Sequence, residues 1–325
     1  MRRSAHVLSG LAFVLAAAAL RGQDAAAPSP AAAAGAPTHF QLVPAGEGVW
    51  AAIAKEGDPT AGGNAGFVIG TDSVLVVDAF VSTAAADELL AEIRKKTPLP
   101  VKWVVNTHYH YDHSGGDATF VRAGASVVAH ENERAWVRTE NLKFYKEPTA
   151  ADREKVGSLA LPDVTHRDGL TIWLGADRRV DVLARPGHTG GDSVVVVPAT
   201  KTVFTGDLFW HTTLPNLIDA STDQWITTLD GFLQSFPDST YVPGHGEIGH
   251  ALDVRYFRDY LTGLRLSVAK AISEGKSGKD LVDSLMPALK AKYGSWKWFD
   301  GFAPRNLEQT EQELKGTKKI PRNDG

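Results

Sequence analysis

Cysteine is absent from all 325 residues. That single absence excludes disulfides, a thiolate nucleophile, a thiolate metal ligand and a lipid-modified N-terminal cysteine. An excess of charge of one sign is missing too: the net charge is −4 and both signs are scattered along the chain. No basic patch therefore argues for nucleic acid. Apolar runs of membrane-spanning length are also lacking. The run from Val7 to Leu20, rich in Ala and Leu, is too short to serve comfortably as a permanent span.

What is present fits a folded protein with a large core, since 43% of residues are hydrophobic and 22% charged. Length alone allows one large domain or two. Arg2 and Arg3, the apolar run, and then small and polar residues make the three-part layout of a secretory signal. We expect a signal peptide over residues 1–24, cleavage near Ala19 to Ala27, a periplasmic or secreted location and no stable membrane insertion afterwards. Residues 25–38 are almost entirely Ala, Pro, Ser and Gly, a composition that builds no core and reads as a linker. The folded domain is expected over 39–316, with a tail at 317–325.

Short apolar or alternating runs at Phe40 to Val43, Val49 to Ala54, Gly66 to Ile69 and Ser73 to Val77 read as consecutive strands. The joint from Asp58 to Asn64 holds Pro59, Gly62 and Gly63 and is expected as a flexible hairpin near the site. Asp78 ends the fourth strand. Ser82 or Thr83 can cap a helix striped by Leu89, Leu90 and Ile93. Val101 to Val105 and Ser126 to Ala129 are further strands, with Phe120 and Val121 tucked inward between them. The polar region from Glu131 to Asp163 is expected as helix plus irregular excursion, its aromatic residues Trp136, Phe144 and Tyr145 serving mainly as packing.

Strand patterns return at Leu170 to Leu174, Val180 to Ala184, Ser193 to Val197 and Thr202 to Phe204. Helical spacing follows through Trp225, Leu229, Phe232 and Phe236, then through Phe257, Leu261, Leu264, Val268 and Ile272. Asp280 to Lys292 is expected as a kinked or split helix because of Pro287, and Pro304 to Leu314 as a last amphipathic helix. Trp296, Trp298 and Phe299 are expected as core or edge packing. Two blocks of strands, each followed by helices, predict an α/β fold of two sheets packed face to face with helices outside.

The stretch Val104 to Asp117 is an apolar run that stops at a cluster of imidazoles and a carboxylate. His108 and His110 are two residues apart, so on an extended tail both rings project to one side and can grip one ion. Asp112 and His113 follow where the chain turns, aimed at a second ion. Three later turns each supply one more ligand. Pro186 to Gly191 offers His188 for the first metal, Thr205 to Asp207 offers Asp207 as a bridging carboxylate, and Val242 to Gly246 offers His245 for the second. Nitrogen and carboxylate donors without a thiolate suit zinc best among common ions, with iron and manganese as alternatives.

His-x-His-x-Asp-His, Gly-His-Thr, Gly-Asp and Gly-His-Gly in that order resemble the motif set of the metallo-β-lactamase-fold hydrolase superfamily, and the resemblance runs from about His39 to Leu314. It implies a four-layer αββα sandwich with two packed mixed sheets. It also implies two Zn(2+): one on His108, His110 and His188, another on Asp112, His113 and His245, with Asp207 between them. Asp78 matches the family's strand-end aspartate, which supports the ligand loops. Classical β-lactamases of this fold carry Cys or Ser where Asp207 stands, whereas hydrolases of the glyoxalase II type carry Asp. The ending from Phe299 through Asn306 resembles exported quinoprotein-relay-associated zinc metallohydrolases.

The implied activity is attack by a metal-bound hydroxide on the carbonyl of a small amide, ester or thioester, with β-lactams among the candidate substrates. A water between two divalent ions has its pKa pulled from about 15.7 toward about 7. Asp112 is expected to orient it and take up its proton. The alternative is a mononuclear iron enzyme like the persulfide dioxygenases on the same fold. His130, His166, His211 and His250 are not needed for the ligand set, although His211 and Trp210 lie in a loop expected near the site's mouth. The expected partner is a small-molecule substrate; the oligomeric state is open.

Overall fold

The structure, a computed structural model, describes residues 36–321. The expected signal peptide, most of the linker and the last residues of the tail lie outside the described residues.

Strands form where β-branched residues run together, and each turn between them is marked by Gly, Asp or Pro. The first sheet has seven strands: β1 (Phe40–Gly46), β2 (Val49–Ala54), β3 (Ala65–Ile69), β4 (Val74–Val77), β5 (Val101–Val105), β6 (Ser126–His130) and β7 (Val164–His166). Pairing is antiparallel from β1 to β4 and parallel from β4 to β7. The parallel joins need crossovers. These are α1 (Thr83–Lys96) between β4 and β5, the pair α2 (Tyr111–Ser114) and α3 (Asp117–Arg122) between β5 and β6, and an excursion between β6 and β7 that holds α4 (Glu131–Trp136) and α5 (Ala150–Gly157).

The second sheet has five strands in the order β12-β11-β10-β9-β8: β8 (Gly169–Trp173), β9 (Arg179–Ala184), β10 (Ser193–Val197), β11 (Thr202–Trp210) and β12 (Thr240–His245). Its only parallel pair is β11 with β12, joined across α6 (Thr222–Ser235). The chain closes with α7 (Ala251–Ser273), α8 (Gly278–Tyr293) and α9 (Phe299–Leu314).

Both sheets are mixed, and their facing sides share one core. Val49, Ile53, Leu75 and Val77 of the first meet Val180, Val182, Val195 and Phe204 of the second. Each fully buried side chain of this kind is worth roughly 1.5–3 kcal/mol. The outer face of the first sheet is covered by α1 through Leu89 and Ile93. The outer face of the second is covered by α6, α7 and the C-terminal helices, around Trp225, Phe257 and Tyr260. The result is the expected αββα order of layers.

Several local expectations change. Val121 is exposed while Phe120 is buried, because α3 is a six-residue helix with only one face against the sheet. Pro287 neither splits nor ends its helix, which runs unbroken over Gly278–Tyr293. The Thr202 to Phe204 strand continues to Trp210 with register shifts after Phe204 and Gly206. Asp207 therefore sits within β11, and Gly206 takes up the irregularity with φ +50. Among the described residues no helix is long and apolar enough to cross a membrane.

Candidate metal centre

Ligand-type side chains converge where the strands of both sheets end. His108 and His110 follow β5, Asp112 and His113 open α2, His188 lies in the turn between β9 and β10, Asp207 is within β11, and His245 ends β12. The structure brings all seven together in two groups: His108, His110, His188 and Asp207, then Asp112, His113 and His245. Within each group the donor atoms lie no more than 4.8 Å apart. His188 Nε2 approaches His110 Nδ1 to 3.1 Å.

Asp207 faces both groups. Its Oδ2 is 3.1 Å from His188 Nε2 and 3.6 Å from His108 Nε2. Its Oδ1 is 3.1 Å from His113 Nε2 and 3.4 Å from His245 Nε2. Asp112 Oδ2 is 3.3 Å from His245 Nε2. The backbone of β12 must pass this carboxylate closely: a Cβ at Gly244 would lie 2.0 Å from Asp207 Oδ1.

Four atoms at the centre are left without hydrogen-bond partners. His108 Nε2, His113 Nε2, His245 Nε2 and Asp207 Oδ1 are buried and make no hydrogen bond. Such vacant donors cost roughly 1–3 kcal/mol each unless something satisfies them. Three of the ligand histidines are held through their other ring nitrogen, while His188 Nδ1 is buried without a partner. His113 Nδ1 donates to Asp78 Oδ2 at 2.9 Å, and His110 Nε2 donates to Asp219 Oδ2 at 3.0 Å. Thr107 Oγ1 lies 3.1 Å from His108 Nδ1. Fixing the far nitrogen in this way turns the free lone pair inward, the usual support of a metal-ligating imidazole. The donor set fits one divalent ion per group, with nitrogen and carboxylate ligands and no sulfur.

The electrostatics agree. Burial works to raise the Asp112 carboxyl, but His113 and His245 bring it down to about 2. Burial likewise opposes ionisation of Asp207, and the surrounding histidines hold it well below the usual carboxylate range. Burial would lower His113, yet Asp207, Asp112 and Asp78 push it well above the normal imidazole value. Burial and neighbouring His113 push His108 well down. The carboxylates thus make a focus of negative charge that a proton or a metal ion can occupy.

Some residues in this network carried no signal in the sequence. Asp219 accepts from His110, from the Tyr109 hydroxyl and from Lys143 Nζ, the last at 2.7 Å. Asp192 ties the His188 turn by accepting from Thr189 N and Thr189 Oγ1, and burial pushes it up to about 7. Phe144 stands edge-on to His110 with ring centroids 5.0 Å apart. It borders the cleft in front of the site. Trp296 and Phe299 are buried as expected, but Trp298 is 45% exposed and also borders the cleft. His211 bonds through Nδ1 to Glu247 O. His130 and His166 face one another far along β6 and β7.

A sequence model described as the Metallo-beta-lactamase superfamily matches residues 59–245, from the turn beside the cleft to the last of the seven ligand-type residues. The chain belongs to the metallo-beta-lactamase superfamily. Within that superfamily it is 28% identical over 200 residues to the metallo-beta-lactamase type 2 of Bacillus cereus, covering 58% of this chain and 72% of that one. It is 23% identical over 276 residues to a linear primary-alkylsulfatase of Pseudomonas sp., covering 70% of this chain. It spans about half, 52%, of that relative's length. A probable hydroxyacylglutathione hydrolase of Schizosaccharomyces pombe is 25% identical over 193 residues, covering 57% of this chain and 64% of that one. Among solved structures, a metallo-beta-lactamase from Pontibacter korlensis superposes with a TM-score of 0.57 at 23% identity, covering 69% of this chain and 99% of that one. This last likeness shows the shared superfamily fold.

Proposed function

We propose that this chain is a dinuclear zinc hydrolase of small acyl compounds. The observation that carries the reading is Asp207, whose two oxygens face two separate groups of ligand-type side chains, with unpartnered imidazole nitrogens in each. Each group offers at least three protein ligands, and the second stands on its own with Asp112, His113 and His245. The mononuclear iron alternative would use a single facial triad within the same residues, and metal analysis separates the two. The relatives named above include two whose names denote hydrolysis of a β-lactam or of a glutathione thioester, and one sulfatase.

Bound ions would supply Lewis acidity, lowering the pKa of water toward about 7 and polarising the scissile carbonyl. The chain's residues do the rest. Asp78 and Asp219 hold His113 and His110 in one tautomer and one orientation. Asp207, buried at the junction, fixes the spacing of the two groups. Asp112 has the most solvent access of the seven, its side chain 28% exposed, and it lies on the floor of a cleft of about 470 Å³. It is the carboxylate placed to orient an attacking water and accept its proton, a role typically worth 10²–10⁴-fold in rate. Export to the periplasm or medium rests on the sequence of residues 1–24.

The test is metal analysis with turnover of a chromogenic cephalosporin by the zinc-loaded chain, Asp112→Ala serving as control. Two zinc ions with turnover lost in the control support a working β-lactamase. Two zinc ions without turnover direct the search to thioesters and lactones. One iron with oxygen uptake overturns the reading.

A further inference from the structure

The C-terminal segment, beyond the residues matched to the superfamily, brings an aromatic side chain to the metal centre in a costly way. Trp298 has φ +61, the left-handed region where a residue with a Cβ pays roughly 1–2 kcal/mol and glycine pays nothing. Its position is over-determined by its neighbours. Trp296 is buried among Tyr256, Tyr260 and Tyr293. Lys297 N donates to Thr212 O and Lys297 O accepts from Leu214 N, both at 3.0 Å. Asn306 on α9 donates to Pro215 O and bonds to the Tyr260 hydroxyl. The chain could make this turn with glycine, yet it carries the largest side chain there.

That side chain is not buried for stability. It stays 45% exposed, with its ring 5.1 Å from His245, 5.6 Å from Trp210 and 5.9 Å from Phe302. All four residues border the cleft. An exposed aromatic held in a strained conformation beside reactive groups marks a site of function more than one of packing.

The charges around the cleft point to the ligand. Two lysines line it: Lys297 Nζ pairs with Glu56 at 3.0 Å, and Lys55 Nζ donates to the neutral Pro37 O at 2.8 Å. Three carboxylates, Glu56, Asp58 and Glu247, stand at the same rim. Of these, Glu247 has no cation paired with it among the described residues. The rim therefore carries no excess of positive charge to select an anion, and the aromatic wall favours an apolar group beside it.

We infer that Trp298 and Phe302, backed by Trp210, form a subsite for an uncharged aryl or apolar acyl group of the substrate. The inference rests on the hydrolase reading for the word substrate but can be tested without turnover. The full zinc-loaded chain is titrated with 4-phenylbutanamide, butanamide and 4-phenylbutanoate, and binding is followed by ligand-observed NMR. The same full chain is then assayed on p-nitrophenyl phenylacetate and p-nitrophenyl acetate.

The phenyl amide should bind more tightly than butanamide and than the carboxylate. Trp298→Ala should cut its preference over butanamide about tenfold, and Trp298→Phe should keep most of it. Trp298→Gly should lose the preference yet melt higher than Trp298→Ala, because glycine relieves the backbone. An unchanged preference in Trp298→Ala overturns the inference. So does tighter binding of 4-phenylbutanoate that depends on Lys297, or a Trp298→Gly variant that melts below Trp298→Ala. Aryl preference in binding supports the subsite whether or not these esters turn over, and a chain that binds the aryl amide yet turns over no ester, thioester, lactone or β-lactam overturns the hydrolase reading alone.

Discussion

Two clusters of buried carboxyls lie close together in the chain and behave in opposite ways. At the metal centre Asp207 and Asp112 face four imidazoles, and those partners hold both carboxyls down in the ionised form. Behind the same β5 strand end, Asp117 and Glu133 face only the side-chain amide of Asn106, whose Nδ2 donates to both at 2.7 and 2.8 Å. There burial pushes both carboxyls well above their ordinary values. An amide offers a dipole where a histidine offers a full charge, and that decides which acid keeps its proton. One cluster is arranged to hold a cation. The other is a neutral strut that ties α3 and α4 to the strand carrying the histidines.

The comparison breaks most visibly at Asp207. If the dinuclear reading holds, Asp207→Ala should empty both groups, with metal content falling below that of the parent chain and turnover dropping by about 10³-fold or more. Metal retention near two with full turnover would mean that the bridging carboxylate is dispensable. Asp112→Asn comes next. Activity should fall by about 10²–10⁴ with KM changed much less, provided proton transfer is its role, and at least one metal should remain bound.

The neutral cluster should respond the other way. Glu133→Gln or Asp117→Asn imitates a protonated carboxyl and should cost under about 1 kcal/mol, whereas Asp117→Ala should cost roughly 1–3 kcal/mol by stranding Asn106, as read from denaturant melts. The pH dependence has a definite sign. From pH 4 upward the unfolded chain releases protons that folded Asp117 and Glu133 retain, so these two lower stability as pH rises, until the folded groups ionise too. The amide variants should remove that decline.

The smallest effect expected is at His166, which is buried against His130 and lowered to about 4 by burial. Between pH 6.5 and 4 the unfolded imidazole binds a proton that the folded one refuses. Stability therefore falls through that window, on the order of 1 kcal/mol, and His166→Gln should flatten it. An unchanged acid limb in that variant would show that His166 charges freely in the folded state.

Legibility in the sequence followed the range of the physics. The strands from β2 to β5 and the long helices were readable because their periodicity is local: Leu89, Leu90 and Ile93 mark the buried stripe of α1 without reference to anything else. Pro287 does not split its helix because proline costs one lost bond and one local clash, which α8 tolerates within a continuous run. Asp219 and Lys143 gave no signal, since they meet His110 and Tyr109 only across separations of 109 and 34 residues. Trp298 read as one aromatic among three, and nothing in the spacing told the buried Trp296 from the exposed one.

The sequence by itself determined the chemistry: without cysteine, with imidazoles and carboxylates gathered at strand ends in a fixed order, the chain can present only nitrogen and oxygen donors to a hard or borderline ion. Tertiary structure alone decided what each donor faces. It set Asp207 between two groups and Asp219 behind His110, and it put an amide where Asp117 and Glu133 needed a cation to ionise. It also turned Trp298 toward the cleft through a backbone conformation that no local preference favours. Residue type sets a group's intrinsic proton and metal affinity; burial and neighbours, which exist only once distant segments meet, set the value it has in the fold.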